Sequence, residues 1–367
     1  MDVRAAVWEG VGKPMQTTDL TLADPGPREV LVRIGASGVC HSDLSVAEGK
    51  FPVPAPIVLG HEGAGTVEAV GRDVTRCAVG DRVVLSLIPQ CGACFWCSKG
   101  QPELCAPGTQ SAMGGVLGDG TPRFKRGGEP VFQFQGLGTF AEAVVVPQDA
   151  VVPFDDDTPF EVAALLGCAV MTGVGAAQNT ADITPGDTVL VIGCGGVGLN
   201  VVQGARLAGA ARIIAVDLAQ AKLDLAGRFG ATDQLLAGDG NTETILELTG
   251  GLGVDVAFDV VGAVPSGQLA LAAVRRGGQV CIIGMTSAET VLPVTSTIDL
   301  LVHEKKLFGS NYGSSDVRRD VPKLLAQHAS GDLLLEELVS ARVTLDDVEA
   351  AFETMRAGQL ARSVVVF

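Results

Sequence analysis

The chain has 367 residues, 47% of them hydrophobic, enough apolar material for two cores rather than one oversized core. Its 42 acidic against 26 basic residues give a formal charge of -16, which argues against nucleic acid or an anionic membrane surface as a partner. No apolar leader follows Met1-Asp2-Val3-Arg4, so a cytoplasmic location is expected, and the nine cysteines then point to metal ligands or free thiols rather than to disulfides.

Roughly the first 150 residues read as β-rich. Residues 4–8, 29–34, 66–70 and 82–87 are short apolar or alternating runs separated by Gly, Pro and Asp turns. Cys40-His41-Ser42-Asp43 and Gly60-His61-Glu62-Gly63 fall between these predicted strands, on loops off a β scaffold, where catalytic groups tend to sit. Far downstream Cys168 stands in an apolar stretch. A cysteine, a histidine and a second cysteine form a catalytic zinc set, since three protein ligands leave the fourth tetrahedral position open.

The run Cys91-x2-Cys94-x2-Cys97-x7-Cys105 is of another kind. Four thiolates so closely spaced close a tetrahedron with no open position, which marks a structural zinc. Pro89, Gly92, Gly100 and Pro102 favour a loop around that metal over a helix or strand. Residues 106–138 follow with several glycines and no regular period, too long for an ordinary connector; they read as a functional loop or an interface element. Phe132 and Phe134 either line a pocket or seal a core there.

Two uncharged windows, residues 162–181 and 188–205, approach membrane-span length, but both are rich in Gly, Thr, Asn or Gln and read as buried α/β core. From there the period changes. Residues 187–192 form a buried-strand run, Gly193-Cys194-Gly195-Gly196-Val197-Gly198 follows at once, and residues 197–208 have helical spacing. Residues 212–217 make a second strand that ends in Asp217, placed to accept hydrogen bonds from an adenosine ribose and to repel a 2'-phosphate, favouring NAD over NADP. The glycines let the backbone approach a pyrophosphate whose charge meets helix N-terminal amides. Further strands at 253–260 and 279–284 alternate with helical stretches, as a parallel doubly wound sheet requires. Cys77, Cys194 and Cys281 read as small core or loop residues, and His303 and His328 as structural.

These residues together resemble the zinc-dependent medium-chain alcohol dehydrogenases. Gly60-His61-Glu62-x2-Gly65 with Gly71 and Val74, the four-cysteine lobe, the Gly193–198 motif and Asp119-Gly120-Thr121-Pro122-Arg123-Phe124 carry the likeness, which runs to residues 362–367. It implies an α/β protein in which a GroES-like β-rich catalytic domain, residues 1–169 plus 312–367, holds an inserted Rossmann NAD-binding domain, residues 170–311. It also implies two zinc ions per subunit, a small alcohol or aldehyde as substrate, and a homodimer.

Residue by residue, the resemblance gives the catalytic zinc to Cys40, His61 and Cys168, with Glu62 as a carboxylate able to approach it and Asp43 orienting the His61 ring. Cys91, Cys94, Cys97 and Cys105 hold the structural zinc. Ser42 bonds the alcohol oxygen and passes on its proton; Thr172 and Val197 press on the nicotinamide. Gly193, Gly195, Gly196 and Gly198 form the pyrophosphate turn, Asp217 and Lys222 bind the ribose, and His41 and Arg362 face the pyrophosphate. Phe51, Leu87, Phe134, Met285 and Asn311 would line an apolar pocket suited to primary or aromatic alcohols.

Two departures stand out. Ser45 replaces a histidine that many relatives use to pass the proton to solvent, and His41 replaces an arginine at the pyrophosphate. Phe51 and Thr109 speak against the glutathione-dependent formaldehyde branch. The approach Leu85-Ser86-Leu87-Ile88-Pro89-Gln90-Cys91-Gly92 resembles the nicotinoprotein alcohol dehydrogenases, which keep NAD bound and use an external electron acceptor. A non-catalytic nucleotide-binding protein is a further alternative, disfavoured by the complete zinc set with Ser42.

Overall fold

The computed structural model describes residues 1–287, 289–358 and 362–367. Contacts divide the chain into two compact units, Met1–Cys168 with Asp316–Phe367, and Ala169–Ser315.

In chain order the strands are β1 Asp2–Trp8, β2 Gln16–Leu22, β3 Glu29–Val39, β4 Ile57–Val58, β5 Glu62–Val70, β6 Arg82–Leu85, β7 Phe124–Arg126, β8 Glu129–Gln133, β9 Ala143–Pro147 and β10 Val151–Phe154. They continue with β11 Thr188–Ile192, β12 Arg212–Asp217, β13 Asp233–Leu236, β14 Val254–Asp259, β15 Val274–Ile282, β16 Lys306–Gly309, β17 Val339–Val343 and β18 Arg362–Val366.

The first unit contains a closed barrel, β1-β2-β7-β8-β4, and a sheet ordered β10-β6-β5-β3-β18-β17 with β9 also paired to β3. Alternation along β3 sends Val30, Val32 and Ile34 into the core, the period of two that a strand with one covered face demands. Its far end, residues 36–39, is buried throughout. That end is paired on both edges, with β5 and with β18, and it delivers the chain to Cys40.

Residues 106–138 are not the irregular loop expected. They form the helix Ala106–Gly114 and the antiparallel pair β7–β8, which closes the barrel. Strands of three and five residues are too short to display a period, and the tight arm Lys125 to Pro130 hides the pairing. Phe124, Val131 and Leu137 are core residues, Phe134 is buried and Phe132 packs partly buried against them. The cysteine lobe departs from expectation in a smaller way, because a four-residue helix, Phe95–Ser98, sits between its second and fourth cysteines.

The second unit is built on a parallel sheet ordered β13-β12-β11-β14-β15-β16, the doubly wound arrangement expected. Val189, Leu190 and Val191 of the central strand β11 are fully buried, which is why that strand reads as an unbroken apolar run. The helical span Phe160–Thr180 is long and apolar enough to cross a membrane, yet 89% of that window is buried inside the protein, which makes it core.

Replacing Phe124, which is fully buried, by alanine tests whether this segment is core or lid. The expected loss is roughly 3–5 kcal/mol of unfolding free energy by denaturant titration followed through the first unit's β signal. A loss under about 1 kcal/mol, the range of exposed positions, would show that the barrel does not need the β7–β8 arm.

Candidate metal centre and nucleotide loop

Asp43 organises the first site. It is the third residue of the helix His41–Ala47, whose preceding residue is Cys40. Its Oδ2 accepts the Cys40 backbone N–H at 3.1 Å, closing a capping box, and its Oδ1 accepts the Gly60 N–H at 2.9 Å and the His61 Nδ1–H at 3.1 Å. One fully buried carboxylate therefore joins the two motifs that the sequence separates by about twenty residues. Because Nδ1 is engaged, Nε2 is the ring nitrogen left to bind a metal.

Glycines make the approach possible. Gly60 adopts φ +87°, and a Cβ there would lie 2.6 Å from the Phe140 backbone nitrogen. At Gly167, next to Cys168, a Cβ would lie 2.5 Å from the Leu85 carbonyl oxygen.

One donor atom from each of Cys40, His61, Glu62 and Cys168 lies within 4.8 Å of the others, and all four residues are buried. Glu62 Oε2 is buried with no hydrogen-bond partner among the described residues, and a cation nearby would offset its charge. Two thiols, an imidazole and a carboxylate suit zinc. A bond from the Cys168 thiol, then the charges of Arg362 and His61, hold the Cys40 thiol well below its ordinary value against the opposing effect of burial. Burial disfavours a charged His61 ring, but Asp43 and Cys40 outweigh it and raise the ring to about 10. A metal cation at Nε2 would take the place of that proton. Ser42 Oγ lies 3.8 Å from Cys40 Sγ, and the Phe134 ring meets the His61 ring edge-on at 5.4 Å.

Arg362, expected against a pyrophosphate, is 4% exposed and its guanidinium pairs with Glu62. A buried guanidinium needs a buried anion, and Glu62 supplies it. His41 is exposed, while Phe51 and Leu87 pack partly buried against the first unit's core.

The cysteine lobe brings one sulfur from each of Cys91, Cys94, Cys97 and Cys105 within 4.8 Å. Backbone amides point at these sulfurs, among them Cys94 N–H to Cys91 at 3.3 Å and Cys91 N–H to Cys105 at 3.4 Å. Amide bonds from Cys97 and Ala106 lower Cys94 to about 6, whereas burial pushes Cys97 to about 12.

In the second unit the turn after β11 carries three glycines with three distinct jobs. Gly193 takes φ +94° and donates its N–H to Val216 O at 2.8 Å. Gly195 has nothing within 4 Å of where a Cβ would stand, at the start of the helix Gly196–Leu207. A Cβ on Gly198 would fall 1.8 Å from the Gly193 carbonyl oxygen. Open backbone ahead of a helix N-terminus fits a dinucleotide pyrophosphate. Asp217 holds the turn, accepting Cys194 N–H at 2.7 Å and Ala219 N–H at 3.0 Å, and its oxygens keep lone pairs for ribose hydroxyls. Thr172, Val197 and Lys222 are half-buried, Gly196 is buried, and Met285 is 57% exposed.

Residues 26–156 match the alcohol dehydrogenase GroES-like domain and residues 196–330 the zinc-binding dehydrogenase domain. The chain belongs to the zinc-dependent medium-chain alcohol dehydrogenases. The dehydrogenase is 40% identical, over the whole of both chains, to an S-(hydroxymethyl)glutathione dehydrogenase of Synechocystis. It is 39% identical to the NDMA-dependent alcohol dehydrogenase of Amycolatopsis methanolica, covering 100% of this chain and 99% of that one. Its fold superposes on benzyl alcohol dehydrogenase of Acinetobacter calcoaceticus with a TM-score of 0.94 at 31% identity, covering 100% and 99% of the two chains.

Sequence reasoning did not find the Glu62–Arg362 pair, the Phe134–His61 contact or the packing of Gly38 against Glu62. The signal for the last was a glycine, Gly38, in the buried end of a strand.

The lobe yields a pH prediction. Once a chelator has removed metal, Cys94, at about 6, is mainly thiolate at neutral pH and should be alkylated ahead of Cys77, which burial raises to about 11. Because a lowered value keeps the thiolate down to that pH, the Cys94 rate should fall only as pH drops through about 6. Peptide mass mapping of a brief alkylation, with metal-loaded protein as the protected control, checks the order; Cys77 reacting first would contradict it.

Proposed function

We propose that this alcohol dehydrogenase interconverts a primary alcohol, aromatic or aliphatic, with its aldehyde, moving hydride between the alcohol carbon and NAD. The observation that supports it best is the buried donor set of Cys40, His61, Glu62 and Cys168 with Asp43 behind it. When bound, zinc polarises the substrate oxygen and nicotinamide exchanges the hydride.

The chain's own residues do the rest. Asp43 holds His61 in the tautomer that leaves Nε2 free. Ser42 takes the proton of the substrate hydroxyl and hands it on, with the buried Ser45 three residues further along the same helix. Phe134 beside His61 gives the substrate an apolar wall and excludes water, which suits an unbranched or benzylic group better than a polyol. Phe51 and Leu87, partly buried against the first unit's core, are assigned to that lining by resemblance, as are Met285 and Asn311. Gly193, Gly195, Gly196 and Gly198 bring backbone amides to the pyrophosphate; Asp217 and Lys222 take the adenosine ribose, and Thr172 and Val197 support the nicotinamide. Asp217 favours NAD over NADP. His41 and Arg362 remain assigned to the pyrophosphate, and Arg362 is also the counter-ion of Glu62. The four-cysteine lobe holds the second zinc as a structural clamp.

A second reading keeps NAD bound and passes electrons to an external acceptor. The stretch Leu85-Ser86-Leu87-Ile88-Pro89 before Cys91 and the 39% identity to an NDMA-dependent enzyme favour it. The chain is also proposed to be a homodimer, since Leu300, Leu301 and Val302 are 42%, 72% and 58% exposed beside the edge strand β16, where a second copy would cover them.

Near-ultraviolet absorbance after mixing the protein with excess NAD and benzyl alcohol decides between the two readings. Steady NADH accumulation, abolished by a zinc chelator, is expected. A burst of one equivalent per subunit, with sustained turnover only when NDMA is added, would replace it by the bound-cofactor enzyme. No reaction with zinc present and any of a panel of primary alcohols would overturn both. For the dimer, sedimentation should show two copies for the wild type and a shift to one for Leu301→Asp; an unchanged value would remove that surface as the interface.

A further inference from the structure

Gly38 stands in register with Glu62 across the β3–β5 ladder and with Val364 across the β3–β18 ladder. Its backbone is not left-handed, so no turn geometry calls for glycine there. In a strand paired on both edges a glycine costs roughly 0.5–1 kcal/mol relative to alanine, so its presence needs another reason. The reason lies in what a side chain would meet. A Cβ on Gly38 would lie 2.0 Å from Glu62 Oε2 and 3.1 Å from its Cβ and Cδ, and these are the three nearest atoms. No backbone atom stands closer.

Glu62 thus fills the space that residue 38 leaves empty. The carboxylate is completely buried, one oxygen pairs with Arg362, and Oε2 has no hydrogen-bond partner among the described residues. Arg362 opens β18, the strand on the other side of Gly38. The slot over Gly38 and the Arg362 guanidinium therefore hold one carboxylate beside donors that lie within 4.8 Å of it.

We propose that Gly38 is a positioning residue for the metal centre: its missing side chain forms the slot that keeps the Glu62 carboxylate back against Arg362 and off a cation held by Cys40, His61 and Cys168. The fourth position then stays available to the substrate oxygen. Filling the slot drives Glu62 out of it, and with Arg362 closing one side the carboxylate moves toward the donors and becomes a fourth protein ligand. This inference rests on the reading that the cluster holds zinc.

The test compares wild type, Gly38→Ala, Glu62→Asp and the double variant, all as purified full chains. Metal content by mass spectrometry comes first: two zinc ions per wild-type chain uphold the underlying reading, and one ion, in the cysteine lobe alone, would sink that reading before Gly38 is at issue. Gly38→Ala should then release the second zinc to a chelator on the order of tenfold more slowly, the size of effect carried by groups behind a metal ligand. The visible spectrum of its cobalt-substituted form should change with the new ligand. Glu62→Asp, whose shorter side chain does not reach the slot, should cancel both effects of Gly38→Ala. If Gly38→Ala alone does not fold, recovery of folding in the double variant supports the same steric link. An unchanged or faster release, an unchanged cobalt spectrum, or effects that persist fully with Asp at 62 would overturn the proposal.

Discussion

Ionised groups in a water-free interior have to be paired, and that constraint shapes the first unit. Asp43 is fully buried, and its two oxygens are satisfied by the Cys40 amide, the Gly60 amide and the His61 ring. Glu62 is equally buried and is met by Arg362. Taking away one member of such a pair leaves an uncompensated charge and costs about 3–5 kcal/mol, more than most single contacts supply. The arrangement is therefore expensive unless a ligand completes it. A zinc ion would do so, adding a double positive charge between two thiols and an imidazole and beside the unpartnered carboxylate oxygen.

Close packing of backbone then sets the tolerances. Gly60, Gly167 and Gly38 each sit where a methyl group would overlap a neighbour; the first two let the chain bring His61 and Cys168 into range, and the third leaves room for the Glu62 carboxylate. The distinction among them is physical. At Gly60 and Gly167 the obstructing atoms include backbone that cannot move, so substitution strains the fold. At Gly38 they belong to one side chain, so substitution changes chemistry first.

The second unit solves another electrostatic problem with the same economy. Gly193 makes the turn, Gly195 keeps the space ahead of the helix open, and Gly198 lets the helix close on the strand. Asp217 braces this turn through Cys194, so the residue proposed to meet the ribose also fixes the loop proposed to meet the pyrophosphate. Cys194 is buried and raised to about 12 by burial and by Asp217, which makes it inert packing and not a reactive thiol.

The α/β class, the parallel sheet and the family were legible in the sequence because they rest on local signals. A buried parallel strand is an apolar run, a nucleotide turn is a string of glycines between strand and helix, and clustered cysteines announce a metal. Strands β13 and β16 and the β7–β8 arm were not legible, being short segments, two of them at sheet edges, whose residues show no clean period. The grouping of Cys40, His61 and Cys168 was suggested by ligand chemistry and family resemblance and not by spacing, since 128 residues separate Cys40 from Cys168. Only the tertiary structure decided where Arg362 goes. Nothing local announces that an arginine will pair with Glu62, 300 positions away; register across β5, β3 and β18 brings the two together. Composition and motif determine which chemical groups a chain owns, whereas burial and strand register determine which of them share a dry space and must neutralise each other.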